Sequence, residues 1–158
     1  MELWEYPGDG ENAANTVTSE QITAFAEKMH SQHRMDRQQV DAIKPGDVAF
    51  FINSDLGRRM KKAKEEGRLY REQPFVIGID RSGEMILVQG IVDAYFVEED
   101  GITIVDYKTD RVDNEEMLIG RYKAQLEYYG IALSQITQRP VKDLLIYSTR
   151  LRKAISVA

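Results

Sequence analysis

Two carboxylates and an ammonium stand inside the most apolar part of this chain. The stretch 90–110, GIVDAYFVEEDGITIVDYKTD, reads as two strands joined by an acidic turn, and Asp93, Asp106 and Lys108 interrupt it. An unpaired charge in a dry core costs roughly several kcal/mol, so these three must face a metal ion, a partner or a solvated cleft. The turn falls at Glu98-Glu99-Asp100-Gly101, with Gly101 supplying the positive φ. Counting outward from it sets Asp93 opposite Asp106 or Tyr107. Alternation puts Asp106 and Lys108 on one face and Tyr107 on the other. Directly or diagonally opposed carboxylates then lie within ~5–8 Å of each other. Two carboxylates that close repel unless a cation sits between them, and their hard oxygens suit Mg2+ or Mn2+. An ammonium two residues on can orient or deprotonate a water. This D…[D/E]xK constellation is that of metal-dependent phosphodiester hydrolysis. Outside an apolar strand the same residues would be a surface Asp–Lys pair on an edge hairpin.

The flanking elements must position these groups. Leu69–Ile79 reads as a strand containing Arg71 and Glu72, with Pro74 restricting its pairing. Asp80-Arg81-Ser82-Gly83 forms a hairpin turn into a strand from Met85. After the second acidic strand, Asp113 is expected to cap a long helix, with Glu116 as its capping-box partner. Met117, Leu118, Tyr122, Leu126, Tyr129 and Leu133 form its apolar stripe, and Gln125 and Tyr129 lie one turn apart on one face. Val141–Tyr147 is expected to be the final strand, followed by a basic tail, Arg150, Arg152 and Lys153. Upstream, Ser19 caps a helix with Ile22, Phe25, Ala26 and Met29 on its apolar side. His30 and His33 near its end lack acidic or Cys partners at ligand spacing and read as surface histidines suited to the helix dipole. Short helices follow over 36–43 and from Pro45. Ser54 caps another, which ends before Gly67 and carries Arg58, Arg59, Lys61, Lys62 and Lys64. That run reads first as a solvated face and second as a phosphate contact. Helices, three antiparallel strands, a long helix and a strand make an α/β fold with a mixed sheet.

Composition narrows the function. The 158 residues suffice for one domain with a core, and no apolar run approaches ~20 residues. Cysteine is absent, so this chain has no disulfide framework, no thiolate zinc site and no Cys-ligated iron–sulfur cluster. That and the lack of a signal peptide point to the cytoplasm. The net charge of −5 argues against a broad basic nucleic-acid face but not against a local one. No P-loop pattern occurs, so no nucleotide is expected to bind this chain.

GIVDAYF, ITIVDYKTD and RYKAQLEYYGIAL together resemble the PD-(D/E)xK nuclease domains of the RecB-like class. Within it the match is to the nuclease domains of AddA-type helicase–nucleases, and FFINSDLGRRM and LYREQPF also fit. The resemblance covers about residues 20–150, and its ordered GxxD, DYK and QxxxY set is specific. It implies a restriction-endonuclease-like mixed central β-sheet flanked by helices. It implies that Asp93 and Asp106 ligate Mg2+ or Mn2+ with the backbone carbonyl of Tyr107, and that Lys108 orients the attacking water and stabilises charge on the phosphate. Gln125 and Tyr129 are then expected to line the site and hold DNA or Lys108, with Glu72 supporting the ligands. The implied substrate is single-stranded DNA fed from a helicase motor, in double-strand-break repair and recombination, with an AddB-like partner subunit. One departure stands out: such domains carry a histidine ligand in a G-x-x-x-H context on an early helix, and none occurs here. MELWEYPG resembles the tail of that helix, within a loop-rich segment over 1–17. The expectation is therefore a single nuclease domain over 1–158 excised from a longer chain. The alternative is a catalytically silent DNA-binding or docking module of the same fold.

Overall fold

The computed structural model describes residues 16–157. The expectation for MELWEYPG, and most of that for segment 1–17, lies outside them. The chain divides into two compact units, one ending at Lys61 and the other beginning at Lys62.

The first unit is helical. Helix α1 (Ser19–Ser31) buries Ile22, Ala26 and Met29. Its cap is Thr18, not Ser19: only from Thr18 does the third helical position fall on Gln21, whose side chain closes a capping box. The imidazole of His30 bonds the Met35 carbonyl oxygen at 3.0 Å, and His33 sits at φ +57. Helix α2 (Arg37–Ala42) is boxed by Asp36 and Gln39, and α3 (Pro45–Asn53) opens on its proline. Ser54 then joins two helices. Its hydroxyl donates to the Phe51 carbonyl and accepts from Gly57 N–H at the start of α4 (Asp55–Glu65). A side chain at Gly57 would lie 2.2 Å from the Phe51 oxygen, so only glycine allows this junction. Gly67, at φ +70, follows the end of α4.

The second unit is a five-stranded sheet in the order β1-β2-β3-β4-β5 with one long helix. Strands β1 (Leu69–Arg81), β2 (Glu84–Glu98) and β3 (Gly101–Lys108) form an antiparallel meander. Ser82 and Gly83, at φ +56 and +85, make the first tight turn. Helix α5 (Glu115–Thr137) carries the chain over to β4 (Val141–Ser148), parallel to β3. Pro74 is tolerated because β1 is an edge strand. Asn114, not Asp113, caps α5, accepting from Met117 N–H at 3.1 Å. The basic tail is in fact a turn leading into a fifth strand. β5 (Lys153–Ser156) pairs antiparallel with β4, after a turn in which Arg152 takes φ +51. Burial of Ile155 and Val157, 2% and 5% exposed, drives that pairing.

The core lies between the sheet and α5, where Val92, Tyr95, Ile102 and Ile104 meet Leu118, Leu126, Tyr129 and Leu133. Its strand residues show an irregularity. In β2, Val88 and Val92 pack into the core cluster, yet so do Tyr95 and Val97. The strand therefore shifts phase by one residue between them. β1 does the same, with Phe75 and Ile77 on the core side below the shift and Tyr70 stacked on Tyr95 above it. Glu72, at φ +48, is the hinge of this crease. Opposite it in register stands Asp93, and the Glu72–Asp93 pairing alone drops out of an otherwise continuous ladder. Both strands skip together, so register is kept while faces change.

Candidate active site

The crease and the end of a ladder coincide. Pairing between β2 and β3 runs from Glu98–Gly101 to Ala94–Val105 and stops, although both strands continue. The next positions in that register are Asp93 and Asp106. One residue further, the Tyr107 N–H donates to Asp93 Oδ2 at 2.9 Å, so the carboxylate takes a main-chain donor just past the ladder's end. The Tyr107 main chain pairs with Tyr147 of β4 on its other side.

Asp106 is 3% exposed. Its Oδ2 meets Lys108 Nζ at 2.8 Å as a buried ion pair and has no other hydrogen-bond partner among the described residues. Burial pushes the Asp106 carboxyl up to about 6; Lys108 opposes the rise, and the charge and hydrogen-bonding reach of Asp93 add to it. For Lys108, burial acts downward, but Asp106, Tyr122 and Asp93 outweigh it and hold the ammonium above its ordinary range. In the metal-free protein Lys108 is thus a cation at neutral pH.

Helix α5 covers this corner. Tyr129, 8% exposed, packs edge-on to Phe75 at 5.4 Å between ring centres. Its hydroxyl accepts from Gln125 Nε2 at 2.8 Å. Burial raises the Tyr129 hydroxyl, and Asp106, Lys108 and Asp93 all act on it, Lys108 in the opposite sense. Gly90, which begins the GxxD stretch, makes room: a side chain there would lie 3.0 Å from Phe75 and 3.4 Å from Tyr129. Asp93, Asp106, Lys108 and Tyr129 therefore converge, with Gln125 at the rim. Glu72 is exposed at the crease. One participant is not evident from sequence. Tyr122, a member of the apolar stripe by its spacing, places its ring 4.1 Å from Lys108 Nζ. Its hydroxyl donates to Asp110 Oδ2 at 2.8 Å, and Arg121 joins the same oxygen at 3.1 Å. The aspartate that ends DYKTD, a short connection away from the RY of the helix, is the signal that could have found it.

Two aspartates and a neighbouring main-chain carbonyl offer oxygen donors only. Among the described residues no three His, Cys, Asp or Glu side chains gather as a metal cluster. Such a set suits a hard ion that keeps several waters and is held through one or two carboxylates plus substrate phosphate. The buried Asp106 oxygen, held by the Lys108 ammonium alone, fits that demand.

A model of the PD-(D/E)XK nuclease superfamily matches residues 3–155. The chain belongs to that superfamily. Individual relatives of this PD-(D/E)XK chain are larger proteins. It is 32% identical to an ATP-dependent helicase/nuclease subunit from Lachnoclostridium phytofermentans, over 91% of this chain and 14% of that one. It is 40% identical to the subunit of the same name from Acetivibrio thermocellus, over 81% of this chain and 11% of the relative. With that of Anoxybacillus flavithermus it shares 34%, over 84% and 11%. The chain thus spans 11% to 14% of the length of these relatives. Among solved structures, that of SSO0001 superposes with a TM-score of 0.44 and 18% identity over 93% of this chain and 68% of the other, too loose a likeness to add to the assignment. None of the described helices is long and apolar enough to cross a membrane.

Proposed function

We propose that this PD-(D/E)XK chain is the DNA-cleaving domain of an AddA-like helicase–nuclease, a Mg2+- or Mn2+-dependent deoxyribonuclease of exonuclease type acting on single-stranded DNA. The observation that carries the reading is the Asp93–Asp106 pair at the end of the β2–β3 ladder with the Lys108 ammonium 2.8 Å from Asp106. Asp93, Asp106 and the Tyr107 carbonyl would hold the ion. When bound, it acts as a Lewis acid toward the phosphate and lowers the pKa of water, as divalent ions do in such sites.

The chain's own groups do the rest. Lys108, kept charged, donates to the attacking water and to a non-bridging phosphate oxygen, where negative charge grows in the transition state. Asp93, braced by the Tyr107 N–H, keeps its orientation as Asp106 changes partners. Tyr129, buried against Phe75, holds the exposed Gln125 at the rim, where its amide can meet the DNA backbone. Glu72, opposite Asp93 in register at the crease, is placed where it would support that carboxylate from the neighbouring strand. Similarity to proteins named as helicase/nuclease subunits supports a role downstream of a motor; double-strand-break repair and an AddB-like partner rest on the motif resemblance alone. An iron–sulfur cluster has no place in this chain, which lacks cysteine.

The test is cleavage of a labelled single-stranded oligonucleotide with Mn2+ or Mg2+. The unmutated chain is expected to cleave it, and Asp106→Ala and Lys108→Ala each to lose about 100-fold or more. Cleavage surviving both substitutions overturns the site. No cleavage by the unmutated chain, with oligonucleotide binding retained, favours the silent module.

A further inference from the structure

Lys108 has two partners of different kinds. One is the Asp106 Oδ2 at 2.8 Å; the other is the face of Tyr122, 4.1 Å from the ring centre. Only the first is contested. Asp106 Oδ2 is buried with the ammonium as its one partner, so a cation entering between the two carboxylates competes with Lys108 for it. A lysine stem is flexible and strongly hydrated at its tip, and once released it has many ways to leave. The ring of Tyr122 is not contested. It is fixed from outside the site, since its hydroxyl donates to Asp110 Oδ2, which Arg121 also holds. Donation to a carboxylate also pushes electron density into the ring, and a cation over an aromatic face is held by that density. Asp110 lies in the segment just after β3, and Tyr122 belongs to the second turn of α5. Together they tie the end of the strand carrying Lys108 to the helix above it.

We propose that Tyr122 is the positioning residue for Lys108: the face of its ring keeps the ammonium at the site when Asp106 turns to another partner. This rests on the nuclease reading for its consequence, but not for its first readout. Tyr122 acts through Lys108 and is not itself a catalytic residue.

Two substitutions separate the ring from the rest of the side chain. Tyr122→Phe keeps the face and loses the bond to Asp110; Tyr122→Leu keeps bulk and loses the face. The first readout needs neither metal nor substrate. In the metal-free chain the Lys108 side-chain methylene protons should be shifted upfield by the ring, in the unmutated protein and in Tyr122→Phe. In Tyr122→Leu they should return to free-lysine positions, with the folded spectrum otherwise intact. The second readout is cleavage of single-stranded DNA. Tyr122→Leu is expected to lower kcat about 10- to 100-fold, the scale of misplacing a catalytic group, with KM changed less than about threefold, while Tyr122→Phe recovers most of kcat. An unshifted Lys108 in the unmutated protein, or equal kcat losses in the Phe and Leu variants, overturns the proposal. If Lys108→Ala leaves cleavage intact, it is the nuclease assignment that fails, and the methylene shift still reports whether the ring holds the ammonium.

Discussion

Asp106 is the residue on which stability and function pull in opposite directions. Its carboxyl is raised from an ordinary 3.8 to about 6, with burial as the largest cause. Because the folded state binds the proton more tightly than the unfolded chain, ionising this group opposes folding. The stability change sets in as pH rises from about 3.8 and is complete once pH passes about 6. Asp106→Asn should therefore stabilise the metal-free protein at pH 7.5 by about 1–3 kcal/mol, and the gain should vanish near pH 3.5. The same variant should not cleave DNA. Urea denaturation in EDTA at the two pH values checks the first part. A variant less stable than the parent at pH 7.5 would mean that the Lys108 contact outweighs the burial of the charge.

At the scale of elements, the β2–β3 turn and the last strand are open to single substitutions. Gly101, at φ +148, lies so close to the entry of β4 that an added side chain would sit 2.5 Å from the Pro140 carbonyl oxygen. Gly101→Ala should cost about 1–3 kcal/mol, since main chain must move to admit it. Ile155→Ala should cost about 2–5 kcal/mol if 153–156 is a strand closing the core, and almost nothing if it is a loose basic tail. Equilibrium unfolding of both variants decides. How much of this was legible follows from where one starts counting. From the Glu99–Asp100 turn, Tyr95, Val97 and their partners alternate correctly, and Asp93 falls beside Asp106. From the Ser82–Gly83 turn, the same alternation puts Val88 and Val92 inward and Asp93 on the wrong face. The phase shift lies between, at a glutamate with positive φ, and no residue there announces it. The cap at Thr18 was readable, because only that position finds Gln21 three residues on. Nothing local distinguishes Asn114 from Asp113. β5 was hidden by three basic residues, with only the alternation of Ile155 and Val157 to betray it. Tyr122 was hidden by its own spacing, which is that of a core residue.

For the whole molecule, net charge of −5 meets a proposed substrate that is itself an anion. Without metal the Asp93–Asp106 pair repels a phosphate at the one place where the chain would have to receive it. Neutralising one carboxylate should then help binding even as it ends catalysis. In EDTA at low salt, Asp93→Asn should bind a single-stranded oligonucleotide about fivefold tighter than the unmutated chain, the ~1 kcal/mol of one charge at contact in water. The advantage should fade as added salt screens it. Fluorescence anisotropy over a salt series reads this directly. Equal affinities at low salt would place the bound strand away from the carboxylates.

The most direct test of the central claim is anomalous diffraction from crystals of this chain soaked in Mn2+. The account predicts a manganese peak between the carboxylates of Asp93 and Asp106, abolished in Asp106→Asn. A peak elsewhere, or none at saturating Mn2+ in a well-ordered crystal, would contradict it.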